Sequence, residues 1–207
     1  KDVSGGAGHE TQPSLPVEFG FGSTSSVDSV TVDWPSGQHQ VDNTITIDQS
    51  FTMTEPPMPV FASVATSAGV NDAGNSRSMA WGDYDSDGDL DLYVGNQGAA
   101  NKLYKNNNNG TFTDDAATAA VNDAGTAWGV AFADYDNDGA LDLFLANDAS
   151  ANKLYNNDGD GTFTDLGATA GVDFNGSSLG MAWGDYDRDG QDDLYVAVNV
   201  APNKLYK

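Results

Sequence analysis

From residue 78 onward, apolar side chains come in short runs broken by small or polar neighbours. The first four are Ser78-Met79-Ala80-Trp81, Leu90-Asp91-Leu92-Tyr93-Val94, Asn101-Lys102-Leu103-Tyr104 and Gly110-Thr111-Phe112-Thr113-Asp114. Alternation over about five residues marks half-buried antiparallel strand. Between the runs lie clusters of Asp, Asn and Gly. Asn109-Gly110 and Asp160-Gly161 tolerate the positive φ that tight hairpin turns need. The pattern then recurs. Asn-Lys-Leu-Tyr stands at 101–104, 152–155 and 203–206, Asp-Tyr-Asp begins at 83, 134 and 185, and Thr-Phe-Thr-Asp stands at 111–114 and 162–165. Every spacing is 51 residues, without insertion. The equivalent first strands are Val130–Phe132 and Met181–Trp183, and the equivalent second strands Leu141–Leu145 and Asp193–Val198. Residues 58–207 therefore read as an array of three units, about 58–110, 111–161 and 162–207. Four-stranded units of this length predict an all-β fold of tandem propeller-type blades, with Trp81, Phe132 and Trp183 as equivalent core positions.

The loop between the first and second strands of each unit is acidic. Asp83, Asp85, Asp87 and Asp91 occupy positions 1, 3, 5 and 9, as do Asp134, Asp136, Asp138 and Asp142, and Asp185, Asp187, Asp189 and Asp193. Position 6 is Gly88, Gly139 or Gly190. Position 7 varies between Asp89, Ala140 and Gln191, as expected of a residue that offers its backbone carbonyl. Calcium takes six to eight hard oxygens at about 2.3–2.6 Å. Alternate residues of a tight loop aim carboxylates inward, and glycine permits the sharp reversal. Unneutralised, four such carboxylates repel one another, and a divalent ion resolves this. About three Ca²⁺ are expected, one per loop. An EF-hand does not fit, because its twelfth position requires a bidentate Glu and here carries Val94, Leu145 or Val196. Magnesium is disfavoured by its reluctance to shed water for an all-protein cage.

Composition sharpens this. The 31 acidic residues outnumber 8 basic ones for a net charge of −23, and 28 of the acids are Asp against only Glu10, Glu18 and Glu55. Asp favours turns and oxygen-ligand loops, whereas Glu favours helices. So acidic a surface repels nucleic acid and anionic membranes. There is no cysteine, hence no disulfide, thiolate site or cysteine nucleophile. No apolar run approaches the ~20 residues that span a bilayer. The chain opens on Lys1 without a signal-like segment, and is expected to be a processed piece of a longer precursor.

Ala80–Val94, Asn101–Tyr104 and Asn109–Asp114 together resemble the FG-GAP/VCBS repeat family, which includes the integrin α-subunit propeller and many bacterial secreted proteins. The resemblance covers about residues 58–207. It implies calcium bound between the first two strands of each blade, by the four Asp and the position-7 carbonyl. Residues 1–57 differ. Leu15–Gly22, Val27–Gly37 and Ile45–Met53 look like the ASPIC/UnbV segment, a small β module found beside such repeats.

Strand bookkeeping adds an expectation. The last unit stops at Tyr206-Lys207, after its third strand. Pro59–Val64, one period upstream of the Thr-Phe-Thr-Asp run, reads as a fourth strand without a preceding blade. An unpaired sheet edge invites pairing with another chain. Head-to-tail association of copies follows, as a filament or a closed ring.

Other residues point elsewhere weakly. His9 and His39 sit in Gly-rich and polar-turn surroundings, and no Gly-x-Ser-x-Gly nucleophile motif occurs, so no catalytic residue is expected. Trp128 has Arg77 and Leu179 as counterparts; it packs locally, fills an interface or stacks on a sugar. Asn101, Asn152 and Asn203 read as turn caps. Asn109-Gly110-Thr111 and Asn175-Gly176-Ser177 fit the N-glycosylation pattern. The expected function is a secreted, calcium-stabilised, non-enzymatic structural or adhesive module that assembles with itself. The alternative is a glycan- or protein-binding propeller fragment of a larger secreted protein.

Overall fold

A computed structural model describes residues 29–34, 37–43 and 60–207. The expected strands over Leu15–Gly22 and Ile45–Met53 lie outside the described residues, as do Pro59 and His9. The chain divides into two units, Lys1–Ala62 and Ser63–Lys207, a boundary five residues beyond the expected 57.

In the first unit, β1 (Val30–Asp33) pairs antiparallel with β2 (His39–Asp42), placing Asp33 opposite His39. Gly37, at φ 85°, donates its N–H to the Trp34 carbonyl, and Trp34 donates its own to Gln38. His39 is thus a strand residue rather than part of the turn, with Nδ1 2.6 Å from Asp33 Oδ1.

The second unit is built from antiparallel sheets. The first holds β3 (Ser76–Gly82), β4 (Asp91–Asn96), β5 (Lys102–Asn106) and β6 (Phe112–Asp114), in that order. Next come β7 (Thr126–Ala133), β8 (Asp142–Ala151), β9 (Lys153–Asn157) and β10 (Phe163–Asp165), paired in the same way. Then β11 (Asn175–Gly184), β12 (Asp193–Val198) and β13 (Lys204–Tyr206) repeat the first three strands. Two four-residue helical turns, α1 (Ala65–Ala68) and α2 (Gly167–Ala170), were not legible in the alternation. Each ends on a glycine in the left-handed region, Gly69 or Gly171.

The end of β8 also pairs with the start of β11, Ala151 opposite Asn175, so the second and third blades join in one seven-stranded sheet. Two expectations need correction. Val60–Val64 is not a strand; among the described residues none pairs with it, and Val60 and Phe61 are exposed. Trp81 is not core, being 55% exposed. The reason lies in how the blades stack. The hydrophobic clusters lie between neighbouring blades. One unites Tyr84, Tyr93 and Leu103 with Val130, Leu143, Tyr155 and Phe163, and Ala80 and Phe132 pack against it. The other unites Phe144, Leu154 and Val172 with Leu194 and Val196, and Trp183 packs against it. Phe132 and Trp183 face the preceding blade, and Trp81 faces the same way with no described blade there. Gly82 makes the first contact close: a Cβ there would stand 2.6 Å from the Phe132 ring.

A bulge interrupts the first strand of every blade at one position, between Ser76 and Ser78, Ala127 and Gly129, and Ser178 and Gly180. Arg77, Trp128 and Leu179 are the extra residues. A bulged residue leaves the pleat, so the repeat sets no common side chain there. The Arg77 guanidinium lies 5.0 Å from the Trp128 ring centroid, which is local packing.

Candidate metal centres

Each acidic loop connects the first and second strands of its blade, and each closes on itself through the same backbone bonds. Asp83 accepts the N–H groups of Asp87 and Gly88 at 3.1 and 3.0 Å. Asp134 accepts those of Asp138 and Gly139, and Asp185 those of Asp189 and Gly190. The position-5 carboxylate accepts the position-7 N–H: Asp87 from Asp89, Asp138 from Ala140, Asp189 from Gln191. Position 9 accepts the position-2 N–H: Asp91 from Tyr84 at 3.2 Å, Asp142 from Tyr135 and Asp193 from Tyr186 at 3.0 Å. Gly88 and Gly139 at φ 93° and Gly190 at φ 88° make the reversal, as expected. Position 4 also lies in the left-handed region, at Ser86, Asn137 and Arg188, which no local signal announced.

This scaffold gathers three carboxylates per loop. One oxygen from each of Asp83, Asp85 and Asp91 lies within 4.8 Å of the others, and the same holds for Asp134, Asp136 and Asp142 and for Asp185, Asp187 and Asp193. Positions 1, 3 and 9 thus converge, with position 9 buried. Positions 5 and 7 stand beside that triad and are tied to each other. Asp85 Oδ1 is buried without a hydrogen-bond partner, a costly state for a carboxylate oxygen. Burial pushes Asp91 up to about 6; N–H groups from Asn106 and Tyr84 pull it down, and Asp85 and Asp87 push it further up. Asp142 is pushed up to about 6 by the same causes, with Asn157 and Tyr135 as donors and Asp136 and Asp138 as the crowding charges. Hard, crowded, partly orphaned carboxylate oxygens are the donor set that a calcium ion satisfies.

Neighbouring elements hold the loops in place. Asn157 gives its backbone N–H to Asp142 at 2.8 Å and its side-chain amide to the Tyr84 carbonyl at 2.7 Å, which ties the second loop to the first. Asn137 Nδ2 donates to the Gly190 carbonyl at 3.3 Å, between the second loop and the third. The Asn101, Asn152 and Asn203 side-chain oxygens accept the N–H groups of Asn96, Asn147 and Val198, closing the turn before the third strand as expected. Asp72 and Asp123 extend this network by accepting from Asn96 and Asn147. Sequence reasoning missed both, although Val-Asn-Asp-Ala-Gly recurs at 70–74 and 121–125.

Residues 83–145 and 134–196 each match the family described as FG-GAP-like repeat. Both matches run from one acidic loop through the next. Residues 1–59 match the family described as ASPIC and UnbV. Among curated proteins, the chain is 37% identical over 93 residues to Cartilage acidic protein 1 of Mus musculus and 37% over 94 residues to that of Homo sapiens. It is 29% identical over 126 residues to that of Xenopus tropicalis. The matches cover 44%, 45% and 59% of this chain, but only 14%, 14% and 20% of those relatives.

Proposed function

Because the chain belongs to the FG-GAP-like repeat family, we propose that it is an extracellular, calcium-stabilised structural or adhesive repeat module, without catalysis of its own, that associates head to tail with copies of itself. The calcium part rests on one observation: the same three carboxylates converge in each of three loops. Asp83, Asp85 and Asp91 would hold the ion in the first loop, and their counterparts in the others. The ion would neutralise charge that otherwise opposes folding. Extracellular placement is supported by the plentiful calcium there, and by the likeness to a relative whose name joins cartilage with acidity.

Self-association is supported by the outer blades. Tyr84, Tyr93 and Leu103 are buried beneath the second blade, whereas their counterparts Tyr186, Tyr195 and Leu205 are 61%, 45% and 54% exposed. At the other end Met79 and Trp81 are bare, although Val130 and Phe132 at the same positions are packed. A cavity of about 320 Å³ over Trp183, Tyr186, Tyr195 and Leu205 marks the uncovered face. The two bare faces are therefore counterparts of faces that already pack together twice within the chain. The Val60–Val64 segment would supply the strand that β13 lacks beside it.

Sedimentation of the full chain in calcium, then in excess chelator, tests the reading. Large species that form with calcium and dissolve without it support both parts. A folded monomer in calcium defeats self-assembly and leaves the bare faces to further blades of a longer chain. It would also bring a glycan- or protein-binding role forward. Trp128 is a weak sugar platform for that role, since Arg77 covers its ring.

A further inference from the structure

The three loops share a backbone but not their surroundings. In the first, the Lys105 ammonium meets Asp85 and stands 3.8 Å from Asp87 Oδ2. In the third, Lys207 meets Asp187 and stands 3.4 Å from Asp189 Oδ2. One cation thus bridges the position-3 and position-5 carboxylates in both. The equivalent residue of the second blade is Asn156, which is uncharged and turned elsewhere. Its Nδ2 donates to the Asn157 carbonyl at 2.9 Å, and its Oδ1 accepts from the Tyr135 hydroxyl at 3.4 Å. No lysine or arginine reaches Asp136 or Asp138 among the described residues.

We infer that Lys105 and Lys207 are tethered counter-cations that compete with calcium at the first and third loops, so the three sites are unequal. This rests on the calcium reading above. An ammonium on one oxygen of the position-3 carboxylate repels an incoming divalent cation, and must move toward solvent as the ion enters. It also serves the empty loop by offsetting part of the repulsion that a vacated site would suffer. The second loop has no such substitute. It binds calcium more tightly than the third, and its own stability depends more on the ion. Asp89 adds a carboxylate to the first loop, so there the deciding comparison is the loop with its own variant, whereas Arg188 and Asp192 add one charge of each sign to the third and leave its net charge as in the second apart from Lys207.

A single charge about 4 Å from a divalent ion, near the surface and free to move away, changes affinity by about three- to thirty-fold. The experiment is a calcium titration of the full chain, followed by the amide resonances of Gly88, Gly139 and Gly190, one per loop. In the unaltered chain Gly139 responds at lower calcium than Gly190. Lys105→Asn and Lys207→Asn each tighten their own loop by about that factor, and Asn156→Lys weakens the second loop. If Gly139 and Gly190 respond together, or if a lysine variant leaves its own loop unmoved, the inference is overturned while the calcium reading stands. If no glycine responds up to millimolar calcium, the calcium reading itself falls, and this inference with it.

Discussion

Asp142→Asn separates metal ligation from ordinary burial. The carboxylate is 1% exposed and accepts N–H groups from Asn157 at 2.8 Å and Tyr135 at 3.0 Å. Asparagine keeps the shape but has only one oxygen, so one donor loses its partner, at a cost of about 1–3 kcal/mol. Against this stands the strain of a buried charge. Burial pushes Asp142 up to about 6 from 3.8, and a shift of about two units opposes folding at pH 7 by about 3 kcal/mol when no ion is bound. The amide removes that strain. In excess chelator the two effects nearly cancel, and the variant unfolds within about 1–2 kcal/mol of the unaltered chain. Calcium breaks the balance. At one hundred times its dissociation constant, an ion bound only to the folded state adds about 2.7 kcal/mol per site. The variant forgoes that gain at the second loop. Urea unfolding followed by tryptophan fluorescence, in calcium and in chelator, measures both gaps. A deficit of the same size in the two conditions would refute ligation by Asp142 and leave it a structural acceptor.

Further outcomes follow from the same geometry. Asp91 and Asp142 have folded values raised to about 6; an acid raised on folding stabilises while protonated, fully below about 3.8, and that stabilisation is lost as pH rises through about 6. Ion-free protein should therefore lose stability between about pH 4 and 6, while calcium affinity should fall as pH drops through about 6; paired unfolding and calorimetric titrations with the opposite slopes would exclude this. Gly82→Ala places a methyl group 2.6 Å from the Phe132 ring, whereas nothing lies within 4 Å of the equivalent Gly184. The first should cost about 1–3 kcal/mol in urea unfolding and the second almost nothing, and equal effects would contradict the packing between the first two blades. Tyr186→Ser alters an exposed side chain and should leave the monomer within about 0.5 kcal/mol, while Trp81→Ser also loses the contact of its ring with Phe112 at 6.2 Å and should cost about 0.5–1.5 kcal/mol, yet each should shrink the calcium-dependent species in sedimentation; undiminished assemblies would remove those faces from the interface.

The acidic loops were readable from the chain because their chemistry is local. Nine consecutive residues carry the ligands, the reversing glycine and the hydrogen bonds that close each loop, and a 51-residue period repeats them. The strands were readable for a similar reason, since alternation determines which side chains share a face. It does not say what covers that face. Trp81, Phe132 and Trp183 are indistinguishable by pattern, yet among the described residues only Phe132 and Trp183 have a preceding blade to pack on, and Trp81 lies more than half exposed. Tyr84 and Tyr186 differ in the same way at the opposite face. Burial here belongs to the stacking of blades, which brings together residues a full period apart. The bulge that frees Arg77, Trp128 and Leu179 from the repeat, and the pairing of β8 with β11, also depend on partner strands. So does the arrival of Lys105 and Lys207 at the acidic loops: each lies twenty residues from the aspartate it meets, on or just past the third strand of its blade, and only the folded sheet brings the two together.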